Sequence, residues 1–438
     1  MKEVIKAEIA SLNNLFKQRH LLVKIVKAEN VLSSFVRYEL RLHTSQSFKD
    51  IESLTRELAV AINRVRAKYH LPSTEVIPVT KPYFALEVDH PNPKTLLWPI
   101  RKTLHTLPHT MLLGLSAINS KKEVISFDKT PHTLIAGITG AGKSVLLQMM
   151  LISLAYSTSP NELELILVDL KNEDLVPFKD LPHTKLFAGS KDKAREAIID
   201  LVAEKDRRIA EGSKSDKRIV LVIDELAQVS DDKIIQKSLK DLISIGRSKK
   251  INIIAATQSV TKDGGLGSMM KSNFTCRLVG KVASGLSAIA TGLPGMFAHL
   301  LPGKGSFLRI ENDSHRFQSF YIDMQDVELM MNETCKKYPV AKLVVDKPIV
   351  DKPIVTEQVD KPIDKQVSSF PIKSFRPLTN EEIDLIRQLS KQSDYMYAGK
   401  PSVNKLCKLA YGSVNPQRRE EINKALHDAK IIKLHKIA

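Results

Sequence analysis

Eight consecutive residues, Gly137-Ile138-Thr139-Gly140-Ala141-Gly142-Lys143-Ser144, constrain this chain more than any other stretch in it. They satisfy G-x-x-x-x-G-K-[ST] at every fixed position. Thr133-Leu134-Ile135-Ala136, just before, reads as a buried strand, and Val145 to Tyr156, just after, is apolar enough for a packed helix. Strand, glycine loop and helix is the context that separates a phosphate loop from a chance match. Glycines let backbone N–H groups converge on a phosphate, and the start of the helix adds its dipole. On this reading residues 137–144 bind ATP, Lys143 reaches the β- and γ-phosphates, and Ser144 holds Mg²⁺.

A buried strand ending in acid is the partner such a loop needs. Arg218-Ile219-Val220-Leu221-Val222-Ile223 is nearly all apolar and runs into Asp224-Glu225. Continuous apolar runs of this kind belong to parallel sheets covered on both faces. Asp224 is the expected Mg²⁺ ligand, and Glu225 is the expected general base for an attacking water. Leu163 to Val168 ends in Asp169, and Ile251 to Ala256 ends in Thr257-Gln258. Helices are expected over 191–211 and 232–247, and strand–helix alternation indicates an α/β fold. Ligands then sit at the carboxyl ends of the strands, where Ser144, Asp169, Asp224, Glu225 and Gln258 are all expected. Gln258 can hydrogen-bond a γ-phosphate. Arg247 has two readings: a cation complementing the end of its helix, or a finger reaching the nucleotide of a neighbouring subunit.

The rest of the chain divides by composition. Residues 1–30 read as a helical arm, with Val4, Ile5, Ile9, Leu12 and Leu15 at near-helical spacing. Residues 31–115 read as a small α+β domain. It has a half-buried strand at 35–42, one amphipathic helix over 48–69 capped by Ser47, and short strands at 76–79 and 83–88. Residues 116–335 are the α/β core. In 336–376 the unit Val-Asp-Lys-Pro-Ile recurs from Val345, Val350 and Val359, which indicates an extended tether. Residues 377–438 read as three short helices and a strand, a winged-helix-like module. A helical module that docks a protein is the other reading. If its third helix enters a groove, Gln417, Arg418 and Arg419 are the candidate readers, although the two arginines can equally touch phosphates alone.

Charge points to a polyanion. The chain of 438 residues carries a net +17, which suits nucleic acid or an anionic membrane surface. Lys214, Lys217, Lys262 and Lys271 flank the acidic strand end and Gln258 and are candidate phosphate contacts. No apolar run reaches the ~18 residues of a membrane span. Cys276, Cys335 and Cys407 form no C-x-x-C pair, so neither zinc nor a disulfide framework is expected, and the cytoplasm is the expected compartment.

Taken together these motifs resemble the FtsK/SpoIIIE family of DNA translocases. Pro131-His132-Thr133-Leu134-Ile135-Ala136-Gly137 leading into Thr139-Gly140-Ala141-Gly142-Lys143-Ser144 is similar to that family's approach to its phosphate loop. Val168-Asp169-Leu170-Lys171, Leu181-Pro182-His183, Ile223-Asp224-Glu225, Gly246-Arg247 and Ala256-Thr257-Gln258 resemble its later blocks. Upstream, Glu75-Val76-Ile77-Pro78 and Lys81-Pro82-Tyr83-Phe84-Ala85-Leu86-Glu87 resemble its pre-motor domain. The likeness spans about residues 31–335. It implies a RecA-like P-loop ATPase core with a parallel sheet, a homo-hexameric ring, ATP hydrolysis at subunit interfaces, and double-stranded DNA threaded through the centre. Arg247 is the implied finger, with Arg277 as the alternative. Two departures stand out: Ser259-Val260 where the family has Arg-Pro, and a short segment between Arg208 and the acidic strand. With no N-terminal anchor read in the sequence, a mobile-element relative moving plasmid, phage or conjugative DNA is expected. The alternatives are a conjugative coupling or packaging ATPase, and an ATP-switched DNA-binding regulator with little turnover. Recruitment to a membrane or a conjugation machinery would rest on a partner outside this chain.

Overall fold

The structure is a computed structural model that describes residues 2–80, 83–98, 107–212, 217–258, 274–285, 297–311, 313–339, 396–397 and 400–401. The chain divides into two units, Met1–Val344 and Val345–Ala438.

The first unit opens with a small domain. Strands β1 (Val23–Val31), β2 (Phe35–Leu42), β3 (Val76–Val79) and β4 (Ala85–Asp89) form an antiparallel sheet in the order β1-β2-β4-β3. Helices α1 (Lys2–Gln18), α2 (Phe48–Ser53) and α3 (Thr55–Lys68) pack on it. The core joins Leu12 and Phe16 of α1, Ile51 of α2, Leu58 and Ile62 of α3, and Val36 and Tyr38 of β2. Residues 1–30 are therefore not a free arm. The apolar stripe of α1 closes this core, and Val23–Val31 is an edge strand. The expected single helix over 48–69 is two, broken at Leu54. Ser47 caps the first with a reciprocal bond to Asp50. Inside, Arg66 donates to Glu8 at 2.8 Å and Tyr38 donates to the same carboxylate, so α1, α3 and β2 are tied by a buried charge pair.

The large domain is built on a ten-stranded sheet in the order β6-β5-β14-β13-β12-β7-β11-β10-β8-β9. Its strands are β5 (Thr110–Ser116), β6 (Lys122–Ser126), β7 (His132–Ala136), β8 (Leu163–Val168), β9 (Thr184–Ala188), β10 (Arg218–Ile223), β11 (Ile251–Thr257), β12 (Cys276–Val279), β13 (Ser306–Ile310) and β14 (Ser314–Ser319). From β12 to β9 the pairing is parallel; from β12 to β6 it is antiparallel. The sheet is thus mixed, where the sequence indicated only its parallel half. The inner strands β8, β10 and β11 of that half are largely apolar because helices cover both faces. On one face lies α4 (Lys143–Ser157), eleven of whose fifteen residues are buried, with α8 (Met324–Lys337) packed beside it. On the other face lie α5 (Lys191–Ala210) and α7 (Lys233–Ile245), which bury Ile198, Leu201, Ile235, Leu239 and Leu242 against β10 and β11. A short α6 (Leu226–Val229) follows β10. Each of α5 and α7 starts on a side-chain cap, Ser190 and Asp232.

The two domains share a buried ion cluster. Glu87 on β4 accepts from Arg37 on β2 at 2.6 and 2.9 Å and from Arg316 on β14 at 3.0 Å. Removing one member of such a cluster leaves a buried charge unpaired. In the second unit, Met396–Tyr397 (β15) and Lys400–Pro401 (β16) pair antiparallel. The remaining expectations for 377–438 and the tether over 340–376 lie outside the described residues. Among the described residues, no helix is long and apolar enough to cross a membrane.

Candidate functional site

The glycine loop follows β7, which lies between β11 and β12 at the middle of the sheet. Its backbone is held from both neighbours. The Gly137 N–H donates to Thr257 O at 3.2 Å, and the Ile138 N–H donates to Lys281 O at 2.8 Å. Gly142, at φ +98°, is the N-cap of α4, a left-handed conformation that glycine adopts without cost. A Cβ there would also lie 2.8 Å from Gly305 N. A second turn, Pro302-Gly303-Lys304-Gly305, therefore packs directly on the loop. Its Lys304 and Gly305 N–H groups donate to Gly140 O at 3.1 Å and Ala141 O at 2.9 Å.

The side chains converge at the carboxyl ends of β7, β8, β10 and β11. Lys143, 9% exposed, donates to Ile138 O at 3.3 Å. Burial pulls its pKa below the ordinary lysine range, and the Glu225 and Asp224 carboxylates oppose that shift. Ser144 Oγ donates to Asp174 Oδ2 at 2.6 Å. Burial, reinforced by the charges of Asp174 and Asp169, pushes the Asp224 carboxyl up to about 7. Glu225 is half-buried and fixed: its carboxylate accepts from Thr257 Oγ1 at 3.0 Å and from the Gln258 N–H at 3.1 Å. The Gln258 side chain accepts from Thr139 Oγ1 at 3.2 Å, which links the acidic strand end to the loop.

Lys143, Ser144, Asp224, Glu225 and Gln258 thus share one site. Asp169 is near but occupied, since its carboxylate accepts the N–H groups of Lys171, Asn172, Glu173 and Leu175 and shapes the turn after β8. That turn delivers Asp174 to Ser144. The sequence reading missed Asp174; the signal was the acidic pair Glu173-Asp174, four and five residues beyond the strand-end aspartate. It missed Thr257 and the 302–305 turn as well.

Other candidates lie elsewhere. Arg247 is exposed in a 3₁₀ turn, Gly246–Lys249, that precedes β11. Its charge bears on His132, at the start of β7. It is therefore at the opposite end of the strands from the glycine loop, roughly 15 Å away at ~3.3 Å per strand residue. Arg277 is 9% exposed within β12, in register with Leu134. Lys217 precedes β10, away from the site, 3.8 Å from Glu164. Lys214, Lys262, Lys271, Gln417, Arg418 and Arg419 lie outside the described residues.

Comparison with known proteins follows the same lines. Residues 101–261 match the FtsK/SpoIIIE family. The DNA translocase FtsK of Chlamydia trachomatis serovar D is 28% identical over 343 residues, 69% of this chain and 42% of that one. The DNA translocase SftA of Bacillus subtilis (strain 168) is 26% identical over 369 residues, 74% of this chain and 37% of that one. The chain therefore spans less than half the length of these relatives. Among solved structures, the monomer form of the pCW3 conjugation coupling protein TcpA with ATPgS superposes with a TM-score of 0.52 at 21% identity. The overlap takes in 75% of this chain and 99% of that one, a likeness of fold. The stretch that holds the glycine loop and the acidic strand end, residues 101–261, is thus a domain that matches the FtsK/SpoIIIE family.

Proposed function

We propose that this chain is an ATP-driven translocase of double-stranded DNA. The observation that carries the reading is the convergence of Lys143, Ser144, Asp224, Glu225 and Gln258 at the carboxyl ends of adjacent strands, in a domain of a family whose members include DNA translocases. Backbone amides of residues 137–144 cradle the phosphates of ATP, and Lys143 offsets charge on the β- and γ-phosphates. Glu225, held by Thr257 and Gln258, takes the proton of a water that attacks the γ-phosphorus. The bond to the β–γ bridging oxygen breaks, giving ADP and phosphate. Gln258, linked to Thr139, reports whether the γ-phosphate is present.

The donor set suits Mg²⁺. Asp224, Asp174 and the Ser144 hydroxyl are hard oxygen donors, and the upward shift of Asp224 reflects its burial first and the neighbouring charges of Asp174 and Asp169 second. A magnesium site of this kind takes one or two carboxylates and completes itself with phosphates and water. Bound there, the ion would neutralise charge on the β- and γ-oxygens.

Arg247 is read as a finger for a neighbouring subunit, supported by its exposure and by its distance from the site of its own chain. A homo-hexameric ring around duplex DNA is the assembly this implies. The cytoplasm, with ATP and reduced thiols, is the compartment proposed; Cys276 and Cys335 are free. The test is ATP turnover of the full chain with and without duplex DNA, followed by displacement of a third strand from DNA. DNA should raise turnover several-fold and the third strand should be released, while Lys143→Ala abolishes both. DNA binding with negligible turnover would instead favour an ATP-switched regulator.

A further inference from the structure

Helix α4 encloses three polar residues among its eleven buried ones: Lys143, Gln148 and Ser153. Lys143 belongs to the glycine loop. Ser153 Oγ accepts the Leu112 N–H at 2.9 Å and so ties α4 to β5. Gln148 has neither task. It is 6% exposed in the middle of an apolar helix, where an unpaired amide would be costly. Its Nε2 donates to the main-chain oxygen of Asp174 at 3.0 Å. Ser144 stands four residues earlier, on the same face, and donates to Oδ2 of the same residue at 2.6 Å. Two successive turns of α4 thus grip one aspartate, by its carboxylate and by its backbone.

The residues around Asp174 are fixed as firmly. Asp169, 1% exposed, takes the N–H groups of Glu173 at 2.9 Å and Leu175 at 3.0 Å, one on each side of Asp174. Asn172 adopts the left-handed conformation at φ +57°, which its short polar side chain tolerates. Its Nδ2 donates to Gly189 O at 3.2 Å and ties the turn to the end of β9. Leu175 and Phe178 are enclosed in the core that α4 shares. The bonds from Ser144 and Gln148 join this turn to the helix that starts at the glycine loop. The first lies among the donors proposed for Mg²⁺. The second lies outside them and acts on the backbone, so it can hold Asp174 whatever the donors meet. Groups one step removed from metal ligands orient them, and commonly account for about ten- to a hundredfold in metal affinity.

We propose that Gln148 is the positioning residue for Asp174, and that it sets the affinity of the site for the divalent cation accompanying the β- and γ-phosphates. The proposal rests on the phosphate-loop reading and its Mg²⁺ donor set and deepens them. It gives the first two turns of α4 distinct tasks: Ser144 meets the ion, and Gln148 places the acidic partner.

The test is binding of the non-hydrolysable ATP analogue AMP-PNP to the full chain, titrated with Mg²⁺ and repeated in chelator. In the wild type Mg²⁺ should tighten binding. Gln148→Met keeps an unbranched chain of similar length and removes the donor. It should raise the Mg²⁺ concentration at half-effect by about tenfold or more and leave affinity in chelator within about twofold. Asp174→Asn should raise it likewise. Adding Gln148→Met to Asp174→Asn should raise it no more than about twofold further, since no carboxylate is then left to place. Gln148→Asn, whose amide falls one methylene short, should show the same cation-specific loss, and it stands in if Gln148→Met does not fold. An unaltered Mg²⁺ requirement overturns the proposal. So does an equal loss in chelator, which would make Gln148 part of the packing of the loop, and so do losses that multiply in the double variant. A wild type that binds the analogue equally with and without Mg²⁺ removes the metal reading, and the proposal falls with it. A wild type that binds no analogue in either condition removes the phosphate-loop reading beneath both.

Discussion

Glu225 owes its position to two donors, the Thr257 hydroxyl and the Gln258 amide, which β11 presents one strand away. Glu225→Gln should keep ATP affinity within about twofold and lower turnover by ~10²-fold or more, since Asp224 survives while the base is lost. Equilibrium binding and steady-state turnover on the same preparation check this, and normal turnover would assign the water to another residue. Asp174→Asn should weaken nucleotide binding only when Mg²⁺ is present; an equal loss in chelator would make it a packing residue. Acid sensitivity is a third expectation at this scale. Burial holds His109, His132, His183 and His299 below the ordinary histidine range, His132 down to about 4. As pH falls through about 6.5 the unfolded chain takes up protons that the folded chain refuses. Stability is therefore full above that pH and declines below it, by up to about 3 kcal/mol from His132 alone. Urea midpoints should fall between about pH 7.5 and about pH 5, less steeply in His132→Gln. Parallel midpoints in the two proteins would remove His132 from the account. Single residues were legible where a motif fixes the backbone, as at Lys143 or Asp224. Asp174 and Thr257 were not, because a turn and a neighbouring strand deliver them.

Elements were legible in proportion to their burial. Strands β8, β10 and β11 are largely apolar because both faces are covered, and such runs announce themselves. The antiparallel half is different. Strand β14 reads Ser-His-Arg-Phe-Gln-Ser, with one large apolar residue, yet four of its six residues are buried. Its polar side chains are spent on partners: Arg316 on Glu87 and Ser306, and Gln318 on Lys304 O at 2.9 Å. No periodicity betrays a strand that pays for burial with hydrogen bonds. The 302–305 turn was hidden for a related reason, since its three successive left-handed residues, Gly303, Lys304 and Gly305, follow from contact with the glycine loop. Gly305→Ala tests that contact. The new Cβ would lie 2.5 Å from Ser319 Oγ at φ +84°, so the turn must shift. ADP affinity should fall severalfold although the residue is far from the phosphate motif in sequence. Unaltered affinity with a lowered melting temperature would limit the turn to a structural part.

At the scale of the whole molecule, the ring reading makes Arg247 a matter of two subunits. Arg247→Ala should bind ATP nearly normally and hydrolyse it ~10³-fold more slowly. Mixing it with Lys143→Ala should restore part of the turnover at shared interfaces, and absence of any rescue would retire the finger. Arg277, enclosed in β12, is poorly exposed for that task. The basic C-terminal stretch is a separate proposal: residues 376–438 hold twelve Lys or Arg against seven Asp or Glu. Truncation at Pro362 should leave basal turnover intact, weaken DNA binding at moderate salt and flatten its salt dependence. A truncated chain that binds DNA as the full chain does would point to a protein partner. The joint between the small domain and the large sheet was not legible, since Glu87 and Arg316 are 229 residues apart. That separation bears on how the protein is made. Strand β7 is flanked by β11 and β12, and β5 waits for β14, so a ribosome releases the phosphate motif long before the strands that shape it. Nascent chains that stop short of β14 expose open sheet edges. They should be blind to nucleotide, and the growing polypeptide would need shelter until almost all of its first unit has emerged.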